Sequence, residues 1–390
     1  MKVLILSPSY PRYEEDTRVP FVRAYAKEIA KHCEVTVITS SAPETKEFSQ
    51  IMDNVKIHRF RYFFPQRMQR LSYTNSGGIL ESYRKSILAK IQMPLFLLAF
   101  FFKSLKYSRD AEIIHAQWMP AGLVGIFLKW IYKKPLICEV RGAERSMPRY
   151  LARFIAKRID VFIAWTPELQ DFLHSLGRNS RIEDIKGMID FEKLELVGDV
   201  TGFKKEFGLE NKKVITFLGR LVYMKNPLGF VRAVPYVIEK RKDVRFLIIG
   251  DGELREDVKK LVDELSVNEF VIMTRARSDV NTVLRATDIF VGLSPICHTY
   301  SATIMEAMYL GVPCILDTPK YTKESFIDKE YAYLVRNDEP KELADAILDL
   351  LDDNILHQKL SKNGQIFVKK LGFEKEVIVK KSLELYKRMV

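Results

Sequence analysis

Two successive series of short, continuously apolar runs, each separated from the next by an amphipathic stretch, constrain this chain more than any other feature. The first series is Lys2 to Leu6, Glu34 to Thr39, Ile113 to His115, Leu136 to Val140 and Val161 to Ala164. The second is Val214 to Leu218, Phe246 to Ile249, Val271 to Met273, Ile289 to Gly292 and Cys314 to Leu316. Strands covered on both faces read as unbroken apolar runs, and their alternation with helices calls for parallel pairing. Between the first two runs, Val22, Tyr25, Ala26, Ile29 and Ala30 recur at helical spacing behind Pro20, a good first helical residue. The expectation is an α/β protein: two Rossmann-like, doubly wound parallel-sheet domains facing a central cleft. Gly198 and Gly202 interrupt the pattern, which sets the domains at residues 1–197 and 198–372, with a final helix over 373–390 packing back on the first. At 390 residues each domain is long enough for its own core.

In open sheets of this kind, ligands bind beyond the carboxyl ends of the strands, so residues just after strands carry the most weight. Strand Val214 to Leu218 runs into Gly219, Arg220 and Lys225, and then Asn226 and Pro227, an N-cap followed by a first helical residue. Two cations on a strand-to-helix loop, beside free helix N–H groups, suit a phosphate or diphosphate; equally, they read as two solvated basic residues. After strand Ile289 to Gly292, Ser301 is placed to cap a helix ended by Gly311 and Pro313, with Tyr300 before it and Ala302 its first residue. Glu306 lies five residues on, about 7–8 Å along the axis, an offset compatible with that between a nucleotide's diphosphate and its ribose hydroxyls; taken alone it reads equally as a surface or capping carboxylate.

These residues carry a resemblance. Gly219-Arg220 with Lys225, Ile249-Gly250-Asp251-Gly252, Ala286-Thr287-Asp288-Ile289, and Glu306-Ala307-Met308 with Gly311-Val312-Pro313 resemble the carboxyl-terminal domain of retaining family 4 glycosyltransferases, which have the GT-B fold. Tyr10-Pro11, Glu34 to Val37, Ile114 to Trp118 and Gly187 to Phe191 stand in the expected order in the first domain, so the likeness spans nearly the whole chain. It implies that Arg220 and Lys225 hold the leaving diphosphate, where transition-state charge accumulates, that Glu306 binds the ribose hydroxyls, and that Gly219, Tyr300, Ser301 and Ala302 border the donor. It implies no cofactor beyond a nucleotide-sugar substrate of unknown base. The absence of an Asp-x-Asp pair or a clustered His/Asp set agrees with a reaction that needs no metal.

The chain departs from that family where the donor sugar would sit. His298 replaces a glutamate eight positions before Glu306, and Thr299-Tyr300-Ser301 replaces Gly-Phe-Gly. A neutral histidine still hydrogen-bonds a sugar hydroxyl but offers no carboxylate charge. His298 is therefore read as an altered donor-sugar contact in the catalytic set, the other readings being lost activity or a loop whose residues do not correspond position by position. In the first domain His115, at a strand end, is an acceptor-side candidate or a structural histidine. Arg141, where the family has histidine, is an anion ligand or one half of an ion pair with Glu139 or Glu144. Arg275 and Arg277 follow strand Val271 to Met273 and would face the base or diphosphate.

Charge adds a partner. The chain holds 62 Lys+Arg against 50 Asp+Glu, net +12, a balance that favours an anionic partner. Eleven bases and the single acid Glu81 make Asn54 to Arg109 a local +10 block. Its aromatics suit an anionic bilayer or single-stranded nucleic acid; the resemblance favours the membrane, and no nucleic acid is expected. Met93 to Phe102, ten apolar residues, reads as a buried helix, short of the roughly 20 a membrane span needs. Four scattered cysteines without a C-x-x-C pair, and a first apolar run too short for a signal peptide, make the cytoplasm the expected location; a peripheral position on the inner membrane face is what the basic block and the resemblance add as an option.

The functional expectation, carried by the resemblance, is a retaining, metal-independent hexosyltransferase moving a sugar from a nucleotide-diphosphate donor to a lipid-linked or polysaccharide acceptor. A degenerate GT-B scaffold subunit and a GT-B nucleotide-sugar epimerase stand as the other readings.

Overall fold

A computed structural model describes residues 1–14, 16, 19–73, 79–177, 181–294, 300–336 and 339–390, with the side chains of Glu81 and Lys320 left aside. The chain divides into two compact units, Met1–Met188 with Lys375–Val390, and Ile189–Glu374. The break thus comes after Met188, ahead of the glycines at 198 and 202. Its reason is local to the second unit: Asp190 caps the helix Phe191–Glu195, whose first ring stacks on Tyr309 at 4.1 Å.

The first unit contains β1 (Lys2–Leu6), β2 (Glu34–Ser40), β3 (Ser49–Met52), β4 (Val55–Phe60), β5 (Ile113–Gln117), β6 (Leu136–Glu139), β7 (Val161–Ile163) and β8 (Ile182–Glu183). They form one sheet in the order β3-β4-β2-β1-β5-β6-β7-β8, parallel except for the β3–β4 pair. Strand side chains alternate faces, so Leu4 and Leu6 enter one core while Val3 and Ile5 enter the other. The first core is roofed by helices Ile87–Ser108, Trp118–Tyr132 and Arg149–Ala156, the second by Pro20–Ile29 and Lys375–Met389.

The second unit contains β9 (Lys213–Leu218), β10 (Val244–Ile249), β11 (Val271–Thr274), β12 (Ile289–Gly292), β13 (Cys314–Asp317) and β14 (Tyr333–Val335), in the order β11-β10-β9-β12-β13-β14. The register pairs Ile215 with Phe246 and Ile289. Strand order reverses at β9, which puts the ligand-binding crevice of an open sheet between the carboxyl ends of β9 and β12.

The structure corrects the reading of the basic block in two places. Its first residues are not a free surface: Val55–Phe60 is a core strand, and Arg59 within it is only 2% exposed, donating to the carbonyls of Tyr10 and Pro11 and to Tyr73 Oη. Arg59 is therefore an internal brace for the segment after β1 and adds nothing to a docking surface. The apolar helix is 22 residues long, Ile87–Ser108, because Lys90, Gln92, Lys103 and Ser104 are tolerated inside it. By length and composition it could cross a membrane, but only 28% of its most apolar window is buried, so it is not the buried helix expected.

Candidate functional site

Gly219, Arg220, Lys225, Ser301 and Ala302 stand at the reversal point of the second sheet. β9 ends at Leu218, and the chain turns through Gly219 and Arg220 into a short 3-10 turn, Tyr223–Lys225. Asn226 sits in the left-handed region (φ 42°) and its side chain accepts the N–H of Gly229, so the helix Pro227–Lys240 starts there as its N-cap and proline predict. The turn is held against the end of β10 by backbone: Gly219 N–H to Ile249 O (3.0 Å), Leu221 N–H to Asp251 O (2.9 Å) and Leu254 N–H to Leu221 O (2.9 Å). Side chains are excluded at this contact. A Cβ on Gly250 (φ 149°) would lie 1.9 Å from Gly219 O, and one on Gly252 would lie 2.3 Å from Leu221 O.

From the neighbouring β12, the chain reaches Tyr300 and Ser301 and enters helix Ala302–Tyr309. Ser301 occupies the N-cap position, yet its side chain does not cap. Its Oγ accepts from Lys225 Nζ at 3.2 Å and lies 3.1 Å from Thr303 Oγ1. The hydroxyl is thus spent on the cation of the neighbouring loop, and the first N–H groups of the helix are left to other partners. Lys225 is largely withdrawn from water and lies close to Arg220; burial first and that like charge second bring its pKa down to about 8, with Asp317 acting in the opposite sense. Arg220 itself is exposed. Asp317, at the end of β13 and 2% exposed, accepts the Ser294 N–H at 2.6 Å. It went unnoticed in the sequence, although a carboxylate closing an apolar strand (Cys-Ile-Leu-Asp) is itself a signal, since such a group needs a partner.

Glu306 is on the helix face away from the core formed by Met305 and Met308. Burial drives its pKa up to about 7, against the weaker pull of Lys193. Tyr300 is placed differently from the open position a donor contact needs: it is 9% exposed, its ring packed near Phe326 and Phe373, so its side chain braces the turn. Ala302 is exposed at the helix start. Arg275 pairs with Asp251 at 3.2 Å, while Arg277 is bound to Asp279 and lies over the rings of Phe203 and Phe207. His298 lies outside the described residues.

The two candidates of the first unit have other engagements. β5 runs on to Gln117, so His115 is mid-strand and wholly buried; its Nδ1 is 2.7 Å from Tyr386 Oη, which is in turn 2.9 Å from Tyr25 Oη. Desolvation, then the charge of Arg141, lowers its pKa to about 3. It has no exposed surface for an acceptor to touch. Arg141 forms the ion pair with Glu139 (2.6 Å) and stacks over Phe21 at 4.2 Å; Glu144 instead accepts the backbone N–H groups of Arg141 and Gly142. Arg141 also lines a small cavity with Tyr25, Ile185 and Gly187. Among the described residues no three of His, Cys, Asp or Glu are gathered as a metal site would need.

Comparison with known proteins follows the same division. The "Glycosyl transferases group 1" family matches residues 200–367. The UDP-Gal:alpha-D-GlcNAc-diphosphoundecaprenol alpha-1,3-galactosyltransferase of Escherichia coli is 28% identical over 272 residues, covering 65% of this chain and 69% of its own. An uncharacterized glycosyltransferase of Methanocaldococcus jannaschii is 21% identical and covers 95% of both chains. Anabaena Alr3699/HepE, solved in complex with UDP, superposes over the full length of both chains with a TM-score of 0.78 at 17% identity.

Proposed function

With residues 200–367 belonging to the glycosyl transferases group 1 family and the chain having the GT-B fold, we propose that this protein transfers a sugar, with retention of configuration, from a nucleoside-diphosphate donor to a hydroxyl of a lipid-linked or polysaccharide acceptor at the cytoplasmic face of a membrane. The observation that carries the reading is the junction of Lys225 and Ser301 across the ends of β9 and β12, with Arg220 beside it.

Rupture of the bond between the anomeric carbon and the phosphate oxygen leaves its electron pair on that oxygen, so one further negative charge grows on the departing diphosphate. Cations already fixed and desolvated stabilise that charge more than mobile ones, since no reorganisation is required at the moment of reaction. Lys225 meets this condition, held by Ser301 Oγ and part-stripped of water. Arg220 adds a fork of donors from the exposed side. Glu306, as a carboxylate, accepts both ribose hydroxyls; His298 takes a hydroxyl of the donor sugar. The reaction proceeds on these side chains without a metal. The lipid-linked acceptor is supported by the Escherichia coli relative, whose name specifies a diphosphoundecaprenol substrate, and a uridine nucleotide by the Anabaena complex.

The test is a thermal-shift panel of uridine, guanosine and adenosine diphosphate sugars, since a bound donor raises the melting temperature by mass action, followed by assay of nucleoside diphosphate release with membrane extract as acceptor. Release that depends on the extract supports transfer. The substitution of the family's glutamate by His298 favours a second reading, a binding subunit without turnover, which predicts stabilisation by a donor with no release.

A further inference from the structure

The first unit carries an apolar surface that its own core does not cover. Ile87, Ile91, Leu95, Leu98 and Phe102 follow one another at spacings of four and three along helix Ile87–Ser108 and are between 43% and 77% exposed. The opposite face, with Ala89, Phe96, Phe100 and Ser104, is fully buried, and Phe100 stacks on Phe60 at 4.8 Å. The outward stripe continues onto helix Trp118–Tyr132. Phe101 lies 6.2 Å from Phe127, Tyr132 Oη reaches Leu105 O, and Phe127, Trp130 and Ile131 are all exposed. A stripe of this extent exceeds the scattered apolar residues of an ordinary soluble surface.

The two helices themselves carry charge of one sign. Neither helix contains an Asp or Glu, and Lys90, Lys106 and Lys133 stand exposed on them or at their ends. We propose that this two-helix face, and not the basic segment before it, seats the protein on an anionic bilayer, with the apolar stripe entering the acyl boundary and the lysines held at the headgroups. Exposed lysines on the same helices as an apolar, aromatic-containing stripe fit an acidic lipid surface. Two copies meeting through this face would instead bring like charges together. Passage of the helix across the membrane would strip Phe96 and Phe100 from the core and break the Gln92 bonds to Met68 O and Arg70 N–H. The inference deepens the proposed reading by naming its membrane surface, and its test uses no activity, so either can fail without the other.

The experiment is flotation of the full chain with vesicles of phosphatidylcholine alone and of phosphatidylcholine mixed with phosphatidylglycerol. Expected is binding to the acidic vesicles only, weakened by salt, with bromolipid quenching of fluorescence that Trp130→Phe removes. An Ile91→Gln/Leu98→Gln variant should lose about tenfold or more in partition through lost apolar insertion, and Lys90→Gln/Lys106→Gln a similar factor, both with unchanged melting temperature. A folded wild type that ignores acidic vesicles, or variants that bind as well as it does, would overturn the proposal. So would a dimer in sedimentation velocity that Ile91→Gln/Leu98→Gln dissolves, or retention in membranes after alkaline washing.

Discussion

Lys225 Nζ donates to Ser301 Oγ across 3.2 Å, joining the loop after β9 to the loop after β12. The bond locates a cation where the strand order of the second sheet reverses, and it costs Ser301 its capping role. Lys225→Ala should lower kcat/KM by about 10²–10³, the range for loss of one fixed charge-stabilising donor. It should leave the melting temperature unchanged or higher, because Lys225 is a desolvated charge beside Arg220. Steady-state kinetics with parallel calorimetry checks both halves.

Two titrations bracket the pH range of the free site. Glu306, raised to about 7, must be ionised to accept ribose hydroxyls, so kcat/KM should climb with pH up to about 7. Lys225, lowered to about 8, loses its charge above that value, and kcat/KM should fall again. The profile expected is a narrow bell. Glu306→Gln should flatten its acid limb while Lys225→Arg moves the alkaline limb upward.

Gly250 and Gly252 are spaces for backbone. Gly250→Ala drives a methyl into Gly219 O and should cost about 2–4 kcal/mol. Because the displaced turn carries Arg220, urea denaturation and donor binding should worsen together. Gly208→Ala, where φ is also positive but no atom lies within 4 Å, should cost stability alone.

The strands and their parallel order were legible because each core strand is an apolar run with no competing pattern. The strands not legible are short or polar: Ser49–Met52, Ile182–Glu183 and Tyr333–Val335 are edge strands, and Val55–Phe60 is obscured by its own lysine, histidine and arginine. The cation pair of the second unit was legible from its position after a strand and before an N-cap. The roles of single side chains were less so. Charge alone does not reveal that Arg59 is turned inward onto carbonyls, and strand length alone does not reveal that His115 faces Tyr386 rather than solvent. The sequence shows only ten residues of the 22-residue helix as an unbroken apolar run because its lysines interrupt the rest.

The Tyr25–Tyr386–His115 chain makes the carboxyl-terminal helix part of the first unit. Tyr386→Phe leaves two buried groups short of a partner and should cost about 1–3 kcal/mol. His115 also gives acid sensitivity: its folded pKa of about 3 lies below the ordinary 6.5, so the neutral buried form contributes fully above 6.5 and progressively less as pH falls toward 3. Stability should drop by up to about 1.4 kcal/mol per pH unit below 6.5 from this group. A His115→Gln variant, whatever its baseline, should show a shallower acid slope.

The central claim, that Arg220 and Lys225 hold the leaving diphosphate of a sugar donor, is tested most directly by nucleoside diphosphate release from the donor that gives the largest thermal shift, measured for wild type and for Arg220→Ala/Lys225→Ala with membrane extract present. The account expects extract-dependent release by the wild type and a loss of about 10³-fold or more in the double variant at unchanged melting temperature. Equal release by both proteins would contradict it.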